Sequence, residues 1–342
     1  MARILLNGVG RIGKTILRIF LERKDYSIIA INEKISSVQN IAYSINYDST
    51  YGGLSDSFSV DEDGICNKHH SIKVFNELDI TQFDFEKHQI DILIDATGVK
   101  FDLKLLRNGF LKKVFLTYPS SLADINMILG VNEFLYNKDH FIISTSSCNA
   151  TALLPIISFI DSMYGIECAD VTTIHPLLSH QKVLDSGCVN SSDRDVECNF
   201  AFGRSSMQNI IPSQTTTIKA CSYVLSHISE DLISSSSFRV PTQTVGAINV
   251  VVNTKKQIES NEFIKQCQEL ESNQTHKIFK NNFDPLVSSD FQKSHYTTII
   301  DHRFTQVIGG NMLKLSLWYD NEWGYGSKVV DIIEYITSKG EI

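Results

Sequence analysis

The sequence predicts an α/β protein of two domains: a doubly wound parallel sheet, then an α+β domain whose sheet is mixed or antiparallel. Three observations carry this. The chain has 342 residues, more than one ordinary core accommodates. Short apolar strands alternate with helical stretches through residues 1–147. Beyond Cys148 the strands lengthen and the helices thin out, which favours antiparallel pairing. The expected division is 1–147 and 148–326, with an amphipathic helix over 327–342 returning to the first domain.

Each element has its own signal. Ile4-Leu5-Leu6, apolar and followed closely by glycines, reads as a buried parallel strand. From Arg11 onward Ile12, Ile16, Leu17 and Phe20 fall at helical spacing. Ser27 to Asn32 is a second buried strand, and further apolar strands recur at 91–95, 113–116 and 141–143. Residues 152–163 read as a buried helix, and 245–252 and 312–318 as long strands. Val329, Val330, Ile332, Ile333 and Ile336 give the last helix its apolar face. Residues 186–209 are polar and irregular, a loop long enough to be either functional or mobile.

Composition narrows the class. Hydrophobic residues make up 42% and charged residues 20%, as in globular proteins. A net charge of −8, from 31 basic and 39 acidic residues, argues against a broad nucleic-acid surface but leaves room for a local phosphate pocket. Seven cysteines, an odd number with no CxxC, argue against a disulfide framework and a structural zinc, so no metal is expected. Reduced thiols, no secretory leader and no apolar run of roughly 18 residues make the cytoplasm the expected location, with no membrane partner.

Gly8-Val9-Gly10-Arg11-Ile12-Gly13 fits G-x-G-x-x-G. Because it follows a strand and opens a helix, it reads as the dinucleotide turn of a Rossmann domain. Gly8 permits the tight turn, Gly10 lets the backbone approach a pyrophosphate, and Gly13 lets helix and strand pack closely. The helix N-terminus supplies N–H donors to the phosphates. Glu33 ends the second strand, where a carboxylate holds adenosine ribose hydroxyls and repels a 2′-phosphate; NAD is favoured over NADP.

Cys148 lies between a buried strand and an apolar helix, in Ser146-Ser147-Cys148-Asn149-Ala150-Thr151. A helix start favours the thiolate and lowers its pKa. Taken alone, such a cysteine is equally compatible with an inert buried thiol. His175 closes the strand-like run Val171-Thr172-Thr173-Ile174 and could take a thiol proton, though spacing alone does not pair the two.

At these residues the chain resembles the glyceraldehyde-3-phosphate dehydrogenase family over essentially its whole length. The similar segments are Asn7 to Gly13, Ala96-Thr97-Gly98, Ser147-Cys148, Thr172 to His175, Asn209 to Pro212, Phe238 to Thr242 and Trp318 to Tyr325. The resemblance implies a cysteine thioester mechanism: Cys148 attacks the aldehyde, His175 handles the proton, and hydride passes to a nicotinamide held by Asn321. It implies cofactor contacts from Arg11, Ile12, Thr97, Gly98 and Thr117. It further implies that Arg239 and Thr215 hold the substrate phosphate, with Ser147, Asn149 and Thr216 beside the anion sites, in a homotetramer.

The departures guide the choice of substrate. Asn149-Ala150-Thr151 replaces the family's Thr-Thr-Asn, Leu178 stands for a phosphate-binding Thr, and Thr216 for a Gly. The loop 186–209 is longer than usual and lacks the family's arginines. An apolar residue at 178, with Asn32-Glu33 and Tyr164 to Glu167, resembles the erythrose-4-phosphate dehydrogenase branch, which releases its thioester to water. The expected reaction is oxidation of D-erythrose 4-phosphate to 4-phosphoerythronate, on the route to pyridoxal phosphate. The alternatives are the phosphorylating glycolytic reaction and a diverged, non-catalytic nucleotide-binding protein.

Overall fold

The computed structural model describes residues 2–23, 27–188, 200–215 and 217–340. It divides into two compact units. The first comprises residues 1–126, 136–145 and 326–342, and the second 127–135 and 146–325.

The first unit contains β1 (Arg3–Asn7), α1 (Arg11–Leu21), β2 (Ser27–Asn32), α2 (Val38–Asn46), β3 (Ser59–Val60), β4 (Gly64–Cys66), β5 (Ser71–Phe75), β6 (Ile92–Asp95), β7 (Lys113–Leu116), β8 (Ile125–Asn126) and β9 (Ile142–Ser144). The sheet order is β3-β4-β5-β2-β1-β6-β7-β9-β8. Pairing is parallel from β5 across to β8. The chain starts mid-sheet, winds outward through β2, and resumes on the other side of β1 at β6. That reversal opens a crevice at the carboxyl end of β1, where dinucleotides bind in such sheets. Leu5, Leu93, Val114 and Leu116 pack against Phe83, Phe85 and Leu103 in the core. The antiparallel strands β3 and β4 on one edge escape the sequence reading, because two and three residues carry no periodicity.

Polar residues close three of the apolar strands. Asn32 Nδ2 donates to Asn7 Oδ1 at 2.8 Å, and Asn7 Nδ2 donates to Asp95 Oδ1 at 2.9 Å. The Thr97 hydroxyl donates to the same Asp95 oxygen at 2.8 Å. Asp95 is 0% exposed, and burial pushes its carboxyl up to about 6, against these donors. A raised carboxyl pKa means the folded state holds the proton more tightly than the unfolded chain. The associated stability is complete below the unfolded value of 3.8 and is lost as pH climbs to about 6. That span corresponds to on the order of 3 kcal/mol. Asp95→Asn should therefore flatten the decline in melting temperature between about pH 4 and 6; calorimetric profiles that stay parallel to wild type would exclude a buried ionisation there.

The second unit contains α3 (Cys148–Tyr164), β10 (Ile166–His175), β11 (Ile211–Ser213), α4 (Thr217–Val224), β12 (Ile233–Arg239), β13 (Gly246–Thr254), α5 (Ser260–Asn273), β14 (Phe279–Asn282), β15 (Thr298–Asp301), β16 (Gln306–Ile308) and β17 (Met312–Tyr319). The last helix, α6 (Trp323–Ser338), starts in this unit and belongs to the first from residue 326. Sheet order is β11-β12-β10-β13-β17-β15-β14, with β16 on β17. β10–β12 and β14–β15 are parallel and the other pairings antiparallel. Ile248, Val250 and Val252 of β13 alternate inward and meet Leu317, Leu315 and Leu313 of β17 in register, all 0% exposed. The helix α3 is buried along most of its length, against β10, β13, β15 and β17.

Residues 127–135, which sequence pattern placed in the first domain, group with the second unit. Gly130 takes a left-handed φ of 80°, which favours glycine, and lies against Ile278, whose Cδ1 would be 2.5 Å from an added Cβ. Cys188 is disulfide-bonded, which corrects the expectation of reduced thiols throughout; Cys66, Cys148, Cys168, Cys221 and Cys267 are free. An odd count rules out complete pairing, not a single bridge. Residues 189–199 of the predicted loop 186–209 lie outside the described residues; beyond them Ala201–Gly203 forms a short 3-10 turn. Among the described residues no helix is long and apolar enough to cross a membrane.

Candidate active site

Ser147 caps α3, its hydroxyl accepting from Ala150 N at 3.3 Å, and this sets Cys148 as the first helical residue. Ser146, just before, takes a left-handed φ of 60°, which turns the chain sharply into the helix. His175 ends β10, and its register partner on β12 is Arg239. Cys148 Sγ lies 3.6 Å from His175 Nε2. His175 Nδ1 is 2.9 Å from the Pro176 carbonyl, which can only accept. Nδ1 therefore carries the hydrogen, and Nε2 presents a lone pair to the thiol.

Two further contacts complete the surroundings of the sulfur. Sγ lies 3.5 Å from Asn149 Oδ1, and the Tyr319 hydroxyl donates to that oxygen at 2.6 Å. Tyr319 is 1% exposed and presses on Gly246, where a Cβ would fall 2.6 Å from the phenol ring.

Burial governs the charges. It pushes the Cys148 thiol up to about 11, with Arg239 pulling the other way. It pushes the His175 imidazole down to about 3, and Arg239 adds to that fall. Burial thus favours the neutral thiol and the neutral imidazole in the free site, and it opposes the thiolate that the helix start favours. Burial also lowers Arg239, opposed by the sulfur. Its Nε and Nη1 are buried with no hydrogen-bond partner among the described residues. Cationic N–H donors left open in this way suit an anion.

The remaining substrate residues are less uniform. Leu178 donates its backbone N–H to Gln181 Oε1 at 2.7 Å, and Gln181 Nε2 is buried without a partner among the described residues. Thr215 and Thr217 bring their hydroxyls within 2.6 Å of each other. Thr216 lies outside the described residues. Asn321 Oδ1 accepts from Thr244 Oγ1 and from Val245 N, both at 3.1 Å, so its Nδ2 is the group left to donate. Val245 takes a φ of 68°, costly for a β-branched residue, to deliver that N–H.

In the first unit the glycine turn fits a dinucleotide. A Cβ at Gly13 would fall 2.0 Å from the Gly8 carbonyl oxygen, while one at Gly10 would meet nothing within 4 Å. Gly13 is thus reserved for packing and Gly10 opens onto free space. Glu33 accepts from Val9 N at 3.1 Å and Ile35 N at 3.2 Å, which fixes its carboxylate beside the turn. Arg11 pairs with Asp48, and Ile12 sits beside it at the helix start. The Thr97 hydroxyl is given to Asp95 and the Thr117 hydroxyl to the Asp95 carbonyl, so both hydrogens point inward. Gly98 has a φ of 63° over open space.

Residues 2–102 match the family described as glyceraldehyde 3-phosphate dehydrogenase, NAD binding domain, and residues 147–321 match its C-terminal domain. The chain belongs to the glyceraldehyde 3-phosphate dehydrogenase family. Similar proteins include glyceraldehyde-3-phosphate dehydrogenase 2 of Saccharomyces cerevisiae, 34% identical over 98% of this chain and 99% of that protein. The glyceraldehyde-3-phosphate dehydrogenase of Wickerhamomyces ciferrii is 35% identical over 98% of both chains. Glyceraldehyde-3-phosphate dehydrogenase 1 of Bacillus cereus is 31% identical over 99% of this chain and all of its own length, 100%. This glyceraldehyde 3-phosphate dehydrogenase family member is accordingly an NAD-dependent oxidoreductase acting on an aldehyde. The non-catalytic alternative gives way. Sequence reasoning missed Tyr319 and Gln181. Tyr319 lay inside a matched segment, but nothing in the pattern ties it to a residue 170 positions away.

Proposed function

We propose that this enzyme oxidises D-erythrose 4-phosphate through a Cys148 thioester and releases 4-phosphoerythronate to water. The observation that carries the reading is Leu178, an apolar side chain on the loop after His175 where the family places a phosphate-binding hydroxyl. Losing one charged hydrogen bond costs on the order of 1.5–3 kcal/mol, roughly tenfold or more in affinity for inorganic phosphate. The substrate's own phosphate would lie on Arg239 and Thr215, with Ser147, Asn149 and Thr216 near the anion sites. Gly8, Gly10, Arg11, Ile12, Gly13, Glu33, Thr97, Gly98 and Thr117 would line the dinucleotide, and Asn321 would bond its carboxamide.

The proton route uses this chain's own groups. Sγ adds to the aldehyde carbon as its proton moves to His175 Nε2, and the imidazolium then protonates the new oxygen. NAD, when bound, accepts the hydride. Nε2 takes back the hydroxyl proton as the carbonyl re-forms, leaving the thioester. In this reading residues 1–147 with the closing helix bind cofactor, and residues 148–326 carry the chemistry. The resemblance also supports a cytoplasmic homotetramer.

The printed names of the yeast and Bacillus relatives favour a second reading, transfer of the thioester to inorganic phosphate in glycolysis. NADH formation from erythrose 4-phosphate should proceed at full rate without added phosphate and yield free 4-phosphoerythronate. Turnover that requires phosphate and runs much faster on glyceraldehyde 3-phosphate would establish the second reading instead.

A further inference from the structure

We propose that Asn149, clamped by Tyr319, joins His175 in holding the water that releases the acyl group from Cys148. This rests on the hydrolytic reading above. The geometry starts from the sulfur, which has two acceptors beside it: His175 Nε2 at 3.6 Å and Asn149 Oδ1 at 3.5 Å. A carbonyl oxygen has two acceptor sites. The Tyr319 hydroxyl occupies one on Oδ1, and the other faces Sγ. Tyr319 is wedged against Gly246, and Asn149 is 7% exposed, so the amide has little freedom to turn its NH2 toward the sulfur.

In the free enzyme the thiol has one hydrogen for these two acceptors. In the acyl-enzyme the sulfur has none, and both acceptors face the thioester unfilled. Water supplies two O–H donors and fits a pair of acceptors. A hydrogen phosphate dianion supplies a single O–H for the two acceptors, and its remaining, charged oxygens are repelled by the lone pair left unfilled. The pair therefore favours water as the acyl acceptor.

In the step itself the water oxygen attacks the thioester carbon while one O–H donates to Oδ1 and the other passes its proton to Nε2. The new C–O bond forms and the C–S bond breaks. The leaving thiolate takes the proton from the imidazolium, and the second water hydrogen leaves with the carboxylic acid, which ionises. No oxidant is needed.

The test is pre-steady-state NADH formation from erythrose 4-phosphate without phosphate, with the acyl group on Cys148 followed by intact-protein mass. Asn149→Ala should give a burst of about one NADH per active subunit, then a steady rate lower by about tenfold or more, with acyl-enzyme accumulating. Because the burst counts competent sites, misfolded protein does not enter the comparison. Asn149→Asp keeps an acceptor and should deacylate faster than Asn149→Ala; Tyr319→Phe should show a smaller version of the Ala effect. If Asn149→Ala deacylates at the wild-type rate, the assignment is wrong while hydrolysis stands. If Asn149→Asp deacylates as slowly as Asn149→Ala, the amide acts through its NH2 and the water-holding role is excluded. If wild type itself accumulates acyl-enzyme until phosphate is added, the hydrolytic reading and this inference both fall.

Discussion

Cys148→Ala will abolish NADH formation while NAD still binds, with a loss on the order of 10⁶ of the kind seen when other enzymes lose their nucleophile. The expectation follows from the covalent route proposed for the site: a thiol 3.6 Å from an imidazole nitrogen whose tautomer is fixed by Pro176. Cys168 is exposed and will be alkylated too, yet Cys168→Ser will keep its activity. Because the Cys148 thiol is pushed up to about 11, inactivation of the free enzyme by iodoacetamide will accelerate with pH through the alkaline range, approaching a plateau near that value. Retained turnover in Cys148→Ala would remove the thioester mechanism altogether. An inactivation rate already flat at neutral pH would show that the resting group is a thiolate.

Arg239→Leu will lower kcat/KM for a phosphorylated aldehyde by roughly 10²–10⁴, the loss of two charge-assisted hydrogen bonds. The same change will raise the melting temperature of the free protein. Two buried N–H groups of a cation with no partner among the described residues are a standing cost that an apolar side chain does not carry. Arg239→Lys will recover little activity, since an ammonium cannot fork onto two oxygens. Opposite signs for activity and stability mark a residue built for ligand. If activity on phosphorylated and unphosphorylated aldehydes falls equally, Arg239 does not read the phosphate.

Local order was legible in the sequence where chemistry and periodicity coincide. The strand–turn–helix from Ile4 to Phe20 is such a place, because Gly8 and Gly13 are each demanded by a backbone constraint that the structure displays, while Gly10 leaves open space beside the turn. The long strands β13 and β17 were legible as extended runs with few helices between them, and the structure buries every second residue of each. The proximity of Cys148, His175 and Arg239 was not, since it depends on β10 and β12 being parallel neighbours although 63 residues of chain lie between their first paired residues, Ala169 and Ile233; register is a property of the sheet, not of either segment. The upward push of burial on Cys148 was not legible, because a helix terminus is visible in sequence while the depth of its burial is not. Asn149 stood out only as a departure, and its meaning required Tyr319.

The last helix changes how the chain can mature. Residues 326–342 belong to the first unit, with Val329, Val330, Ile333 and Ile336 each 0% exposed. Gly326 lies against Thr15 and Ile19, and Arg23 pairs with Asp331 and Glu334. The first unit to be synthesised is therefore the last to be complete. Its opening strands emerge early, but part of their core arrives only with the final residues. A nascent dinucleotide domain waits through the synthesis of the whole catalytic half, with apolar surface that a chaperone can recognise. A chain truncated near residue 325 would lose the dinucleotide unit first, although every residue of the glycine turn remained in place.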